Sequence, residues 1–186
     1  IRDSGKIYQN VDIESDRRKG VNLSTYVNNC IKKAYTNLWA LRRLAELGVS
    51  KEYLLLTYES KIRCHVEQNC PLWMFSITQE LKDKIEKVQK ISFFIILGKY
   101  ANKEYSYNLA LLNSVSLDER RQAIAENLAK KILKHPAHRN IFMFSEKSNM
   151  RSGKHVIIPR IRTTRYVNTT VPSLGTIINK KLRHKI

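Results

Sequence analysis

At 186 residues and 42% hydrophobic content, the chain is long enough for one packed domain, with or without an arm, and too apolar to be disordered throughout. Thirty-four Lys and Arg against 16 Asp and Glu give a formal charge of +18, which points to a polyanionic partner. No apolar run reaches the roughly 18 residues of a membrane span, and three cysteines without framework spacing speak against a disulfide scaffold and for a reducing, intracellular compartment.

Residues 1–23 read as a polar leading segment, and IRDSGKIYQN lacks the apolar core of a secretory signal. The chain reads equally as a separate product or as a piece of a longer polypeptide. Ser24 is placed to cap a first helix, along which Val27, Ile31, Ala34, Leu38, Leu41, Leu44 and Leu47 recur at spacings of three and four before Gly48. Its other face carries Lys32, Lys33, Arg42 and Arg43.

A second helix is expected from Ser50 through Leu54, Leu55, Tyr58, Ile62 and Val66, ending before Pro71. The short joint Gly48-Val49-Ser50 makes these two helices an antiparallel hairpin. After a turn at Cys70-Pro71-Leu72-Trp73, Thr78 caps a third helix with Leu81, Ile85, Val88, Ile91, Phe94 and Ile95 on its buried side and Gly98 at its end. A short helix follows around Tyr105 to Leu112. Ser116 and Glu119 then form a capping box for a helix through Ile124, Leu128 and Ile132, closed by His135-Pro136.

Beyond that point the period is lost. The last 48 residues hold eleven Lys and Arg against Glu146 alone, whereas the first 113 hold eighteen against twelve acids. β-branched residues, Pro159 and Pro172 suggest extended chain, lying across the body or ordering on a partner. The expected fold is therefore mainly α: a bundle of four or five helices over residues 24–134, with an extended basic C-terminal arm over 135–186.

Signatures of common chemistry are missing, since no Gly-rich phosphate loop, G-x-S-x-G elbow or H-E-x-x-H pair occurs. Cys64-His65 with Cys70 lacks zinc-knuckle spacing, and packed or incidental cysteines explain it better. His135 and His138 fit a helix end and linker. Glu67, Glu86 and Asp118 lie beside lysines or arginines and read as solvated ion pairs. No metal, cofactor or catalytic residue is expected.

Lys32, Lys33, Arg42, Arg43, Arg120, Arg121, Arg151, Lys154, Arg160, Arg162 and Arg165, with Tyr166, form the expected nucleic-acid-binding set. Arg42-Arg43 also reads as an ordinary solvated helix face. Tyr166 and Tyr107 suit base stacking or a place at the rim of the core.

Several strings also resemble a known family. They are LWALRRLAELGVSKEYLLLTYESKIRCHVEQNCPLW at 38–73, IEKVQK at 85–90, IILG at 95–98, LDERRQ at 117–122 and PRIRTTRY at 159–166, with VP at 171–172. In this order they resemble the region downstream of the palm in non-LTR, LINE-type retrotransposon reverse transcriptases. The resemblance spans about residues 20–180 and implies a thumb and post-polymerase segment beside template and primer. It also implies that Tyr58, Ile62, Trp73, Ile85 and Val88 are core, and leaves Arg63 and Glu67 to pair at i and i+4. The palm aspartates have no counterpart here, so the chain alone is not expected to polymerise or to be an enzyme.

The expected function is non-catalytic binding of RNA or an RNA/DNA hybrid, within a larger polypeptide or ribonucleoprotein and without a membrane. Two rivals are a structural RNA-binding protein of a large ribonucleoprotein, such as an organellar ribosome, and a helical protein-interaction module with an acidic partner.

Overall fold

The computed structural model describes residues 22–135, 142–145, 156–158, 160, 163 and 167–183. In chain order these form α1 (Leu23–Glu46), α2 (Lys51–Thr57), a π-helical turn (Tyr58–Arg63), α3 (Cys64–Glu67), α4 (Cys70–Trp73) and α5 (Gln79–Leu97). A 3-10 turn (Gly98–Tyr100), α6 (Tyr105–Leu111), α7 (Leu117–Lys134) and α8 (Thr170–Arg183) follow. The fold is a mainly α helical bundle. Among the described residues no strand forms, and Phe144 and Val156 make an isolated antiparallel bridge.

Asn22, not Ser24, caps α1: its Oδ1 accepts from the Thr25 N–H at 3.2 Å. Asn fills that position as well as Ser does. Val27, Ile31, Ala34, Leu38 and Leu41 are buried, Leu44 is half-buried, and Leu47, beyond the helix end, is exposed. Gly48 takes φ +76°, its N–H donating to Ala45 O and that of Val49 to Leu44 O. This Schellman closure needs the left-handed backbone that glycine adopts without strain.

α2, the π turn and α3 run on as one rod, packed with α5 against α1. Its buried residues Leu54, Tyr58, Ile62 and Val66 are each four apart. In an α-helix, which turns about 100° per residue, such a stripe drifts by about 40° per step. The wider i→i+5 turn takes up that drift and keeps the four side chains on α1 and α5. Tyr58 meets Phe93 of α5 edge-on, with ring centroids 5.4 Å apart.

Cys70–Trp73, expected as a turn, is a single helical turn entered through Asn69 at φ +52° with Pro71 in its first positions. Proline is tolerated there because the first amides have no intrahelical acceptor. Trp73 is buried, its indole N–H donating to Gln68 O at 2.8 Å. Thr78 and Gly98 bound α5 as expected. Its buried face, however, is Leu81, Ile85, Val88, Gln89, Ser92, Phe93, Ile96 and Leu97, while Phe94 is exposed. Steps of three from Val88 to Ile91 to Phe94 rotate off the face by about 60° each, whereas steps of four from Val88 to Ser92 to Ile96 turn the other way by about 40° each and stay within it.

The capping box of Ser116 and Glu119 is present at the start of α7, and His135 ends it. The tail differs from the extended arm expected. Thr170–Arg183 is helical and packs on α7 and α4, burying Leu174 and Ile178. Pro172 lies in the first turn of α8, where it breaks no hydrogen bond.

Candidate nucleic-acid interface

The outward face of α1 brings four of the expected basic residues together. Lys32, Thr36, Trp39 and Arg43, at spacings of four, three and four, form one exposed line, with Lys33 and Arg42 on its flanks. Trp39 is 64% exposed, and the Arg43 guanidinium sits 5.7 Å from its ring centroid. Tyr35 lies one turn earlier and is exposed. Glu46, 2.8 Å from Arg43, is an acid at the end of this face. Two exposed aromatics thus lie between two basic pairs along a rigid rod, an arrangement chemically suited to stacking bases and neutralising phosphates. Trp39 and Tyr35 are absent from the expected set, in which Tyr166 is the aromatic, although their spacing from Arg42 and Arg43 signals them.

Arg120 and Arg121, expected at the same interface, are committed elsewhere. Arg120 makes a two-point contact with Glu67 of α3, from Nε to one carboxylate oxygen and from Nη2 to the other at 3.2 Å. Arg63 stands 3.8 Å from Glu67, the pair expected at i and i+4, but meets Glu59 more closely at 2.6 Å. Arg121 is buried, its Nη2 donating to Asp118 at 3.1 Å and reaching Glu86 at 3.5 Å. It lies among its neighbours on α5 and α7, away from the exposed α1 face, and borders a cleft beside α7.

Glu86 is likewise no solvated ion-pair member. From α5 it accepts the Asp118 N–H at 2.7 Å and the Tyr105 hydroxyl at 3.0 Å. A carboxylate at the start of α7 also meets the positive end of its dipole. Beside it, buried Gln89 accepts from Leu117 N–H at 3.1 Å and donates to Val115 O at 3.0 Å. These bonds tie α5, α6 and α7 into one polar seam, while burial raises the Tyr105 phenol above its ordinary range, with Glu86 adding to the effect.

Arg160 is exposed. Arg151, Lys154, Arg162, Arg165, Tyr166 and His138 lie outside the described residues. Tyr107 is exposed on α6. Cys30 and Cys70 are buried and Cys64 is exposed, and among the described residues no three His, Cys, Asp or Glu gather as metal ligands. Nor is any described helix long and apolar enough to cross a membrane. Compared with known family models, curated proteins and solved structures, the chain matches none.

Proposed function

We propose that the chain binds RNA or an RNA/DNA hybrid without acting on it, holding a strand along the outward face of α1. The observation that carries this reading is Trp39, exposed in a line of basic residues with Arg43 over its ring. Lys32, Lys33, Arg42 and Arg43 supply phosphate contacts, and Trp39 supplies a sequence-tolerant stacking platform. From Lys32 to Arg43 the line measures about 16 Å at about 1.5 Å per residue. Several phosphates of a stacked strand fit along it, at about 3.4 Å per nucleotide. The resemblance to the post-palm region of non-LTR reverse transcriptases supports a place beside template and primer.

The test is the salt dependence of binding to a short oligouridylate, followed by tryptophan fluorescence. Trp73 is buried, so quenching on binding is expected to report Trp39. With about four phosphates engaged, log K falls against log salt with a slope of about −3. A slope near zero removes the reading.

A further inference from the structure

A second basic feature lies on another part of the molecule. Between α7 and α8, bordered by Met74 and Phe75, is a cleft of about 990 Å³. Its walls carry Lys82, Lys130, Lys134, Lys180, Lys181 and Arg121, against the carboxylates of Asp118 and Glu126. Both carboxylates are engaged: Asp118 accepts from Arg121 and Gln122, and Glu126 accepts from Lys181 at 2.8 Å. The Lys181 hydrogen bond, with the charges of Lys181, Lys130 and Lys180, holds the Glu126 carboxyl below its ordinary range. Among the described residues, Lys82, Lys130, Lys134 and Lys180 have no ion-pair partner. Cations in excess around one cleft repel one another until an anion enters.

Arg121 provides an independent sign. Its side chain is 2% exposed, and its Nη1 has no hydrogen-bond partner among the described residues. A buried guanidinium donor left unpaired is costly, and native interiors rarely leave one without an acceptor. Arg121 also lines the cleft. The unpaired donor thus belongs to a residue of the cleft wall, and an anionic oxygen that reached it would satisfy it while the surrounding lysines neutralised its charge.

We infer that this cleft is a phosphate-binding site for linked phosphoryl groups, with Lys130, Lys134 and Lys180 at its mouth and Arg121 at its floor. Lysine meets phosphate as a mobile point charge, while the planar guanidinium fixes one oxygen. The volume lies at the upper end of ordinary ligand clefts, about 300–1,000 Å³, which suits more than one phosphoryl group. Free oligophosphate and the backbone of a nucleic-acid strand share this chemistry. The inference does not depend on the α1 face.

The full chain is titrated with sodium tripolyphosphate and, separately, with a short oligouridylate, using amide chemical shifts on α7 and α8 and calorimetry. Wild type is expected to bind tripolyphosphate saturably, and the Lys130→Glu/Lys180→Glu variant about tenfold or more weakly. Both positions are exposed, so that variant should fold. Arg121→Lys keeps the charge and removes the fork, so its binding should weaken even if its circular dichroism is unchanged. If the lysine variant also weakens the oligouridylate at α7 and α8, a strand is a source of the phosphate. If it weakens tripolyphosphate alone, the source is free oligophosphate. Equal tripolyphosphate affinity in wild type and the lysine variant, or no saturable binding by wild type, overturns the site. Trp39→Ala serves as control: it should weaken the oligouridylate without changing tripolyphosphate, so the two interfaces fail or stand separately.

Discussion

Glu67 of α3 and Arg120 of α7, 53 residues apart in sequence, are joined through both carboxylate oxygens. The pair is partly sheltered, with side-chain exposures of 15% and 32%. It bridges the hairpin rod to α7, and Glu67 also faces Arg63. Removing the carboxylate therefore leaves two guanidiniums facing each other. Glu67→Ala should lower stability by about 1–3 kcal/mol, Arg120→Ala by less, and the two changes together by less than their sum. Urea midpoints for this double-mutant cycle measure the difference, and strict additivity would show that the pair contributes nothing.

Tyr58 offers the opposite case. Its ring is fully buried against Phe93, and its hydroxyl has no partner among the described residues. Tyr58→Phe deletes an unsatisfied polar atom while preserving the packing, so it should be neutral or stabilising by about 1 kcal/mol. Burial also pushes the phenol well above its ordinary range. In the unfolded chain it ionises at about pH 10, so above that pH the unfolded state holds fewer protons and stability falls. The contribution is intact below about pH 10 and is lost as pH rises, by up to about 1.4 kcal/mol per unit. Alkaline titration of urea stability should show a shallower fall in Tyr58→Phe than in wild type, and parallel curves count against the buried phenol.

Trp39 separates binding from folding. Being mostly exposed, it should be replaceable by Ala with little change in the urea midpoint, within about 0.5 kcal/mol. Loss of a stacking platform worth about 1–3 kcal/mol per base corresponds to roughly 5- to 150-fold weaker binding of a short oligouridylate. Glu46→Gln should act the other way, raising affinity up to about fivefold, because it frees Arg43 from an exposed ion pair worth at most about 1 kcal/mol. Fluorescence titration of both variants measures these shifts, and equal affinities in all three proteins exclude α1 as the binding face.

What was legible in the sequence was local. The stripe of α1 from Val27 to Leu44, Gly48, Thr78, Gly98 and the Ser116–Glu119 box each depend on residues within a turn or so, and these appear where spacing puts them. Partners distant in sequence were not legible. Nothing near Arg120 announces Glu67, and nothing near Arg121 announces enclosure by Glu86, so both arginines read as surface charge. The same limit applied to α8, whose β-branched residues and Pro172 suggest extension until packing on α7 supplies what propensity withholds. Trp39 was missed for another reason. The aromatics with a stacking reading are Tyr107 and Tyr166, and Trp39, off the apolar stripe of α1, reads only as part of a family-like string.

Gly175 shows how closely that packing is drawn. A Cβ there would stand 3.2 Å from Ile158 Cγ1 and 3.6 Å from Val156 Cγ1. Four residues on, the Asn179 carboxamide accepts from Val156 N–H at 2.7 Å and donates to Val156 O at 3.0 Å. The contact at Gly175 and the two hydrogen bonds at Asn179 seat the 156–158 segment on α8, and the bonds hold only while the backbones stay close. Alanine at 175 gains helix propensity, about 1 kcal/mol, against a mild clash with a side chain able to shift, so a branched residue is the more decisive test. Gly175→Val should overfill the contact and destabilise the protein by about 1–3 kcal/mol. It should also raise exchange of the Val156 amide well beyond any change in α1. Unchanged exchange at Val156, with the variant as stable as wild type, would mean that the segment does not depend on this close approach.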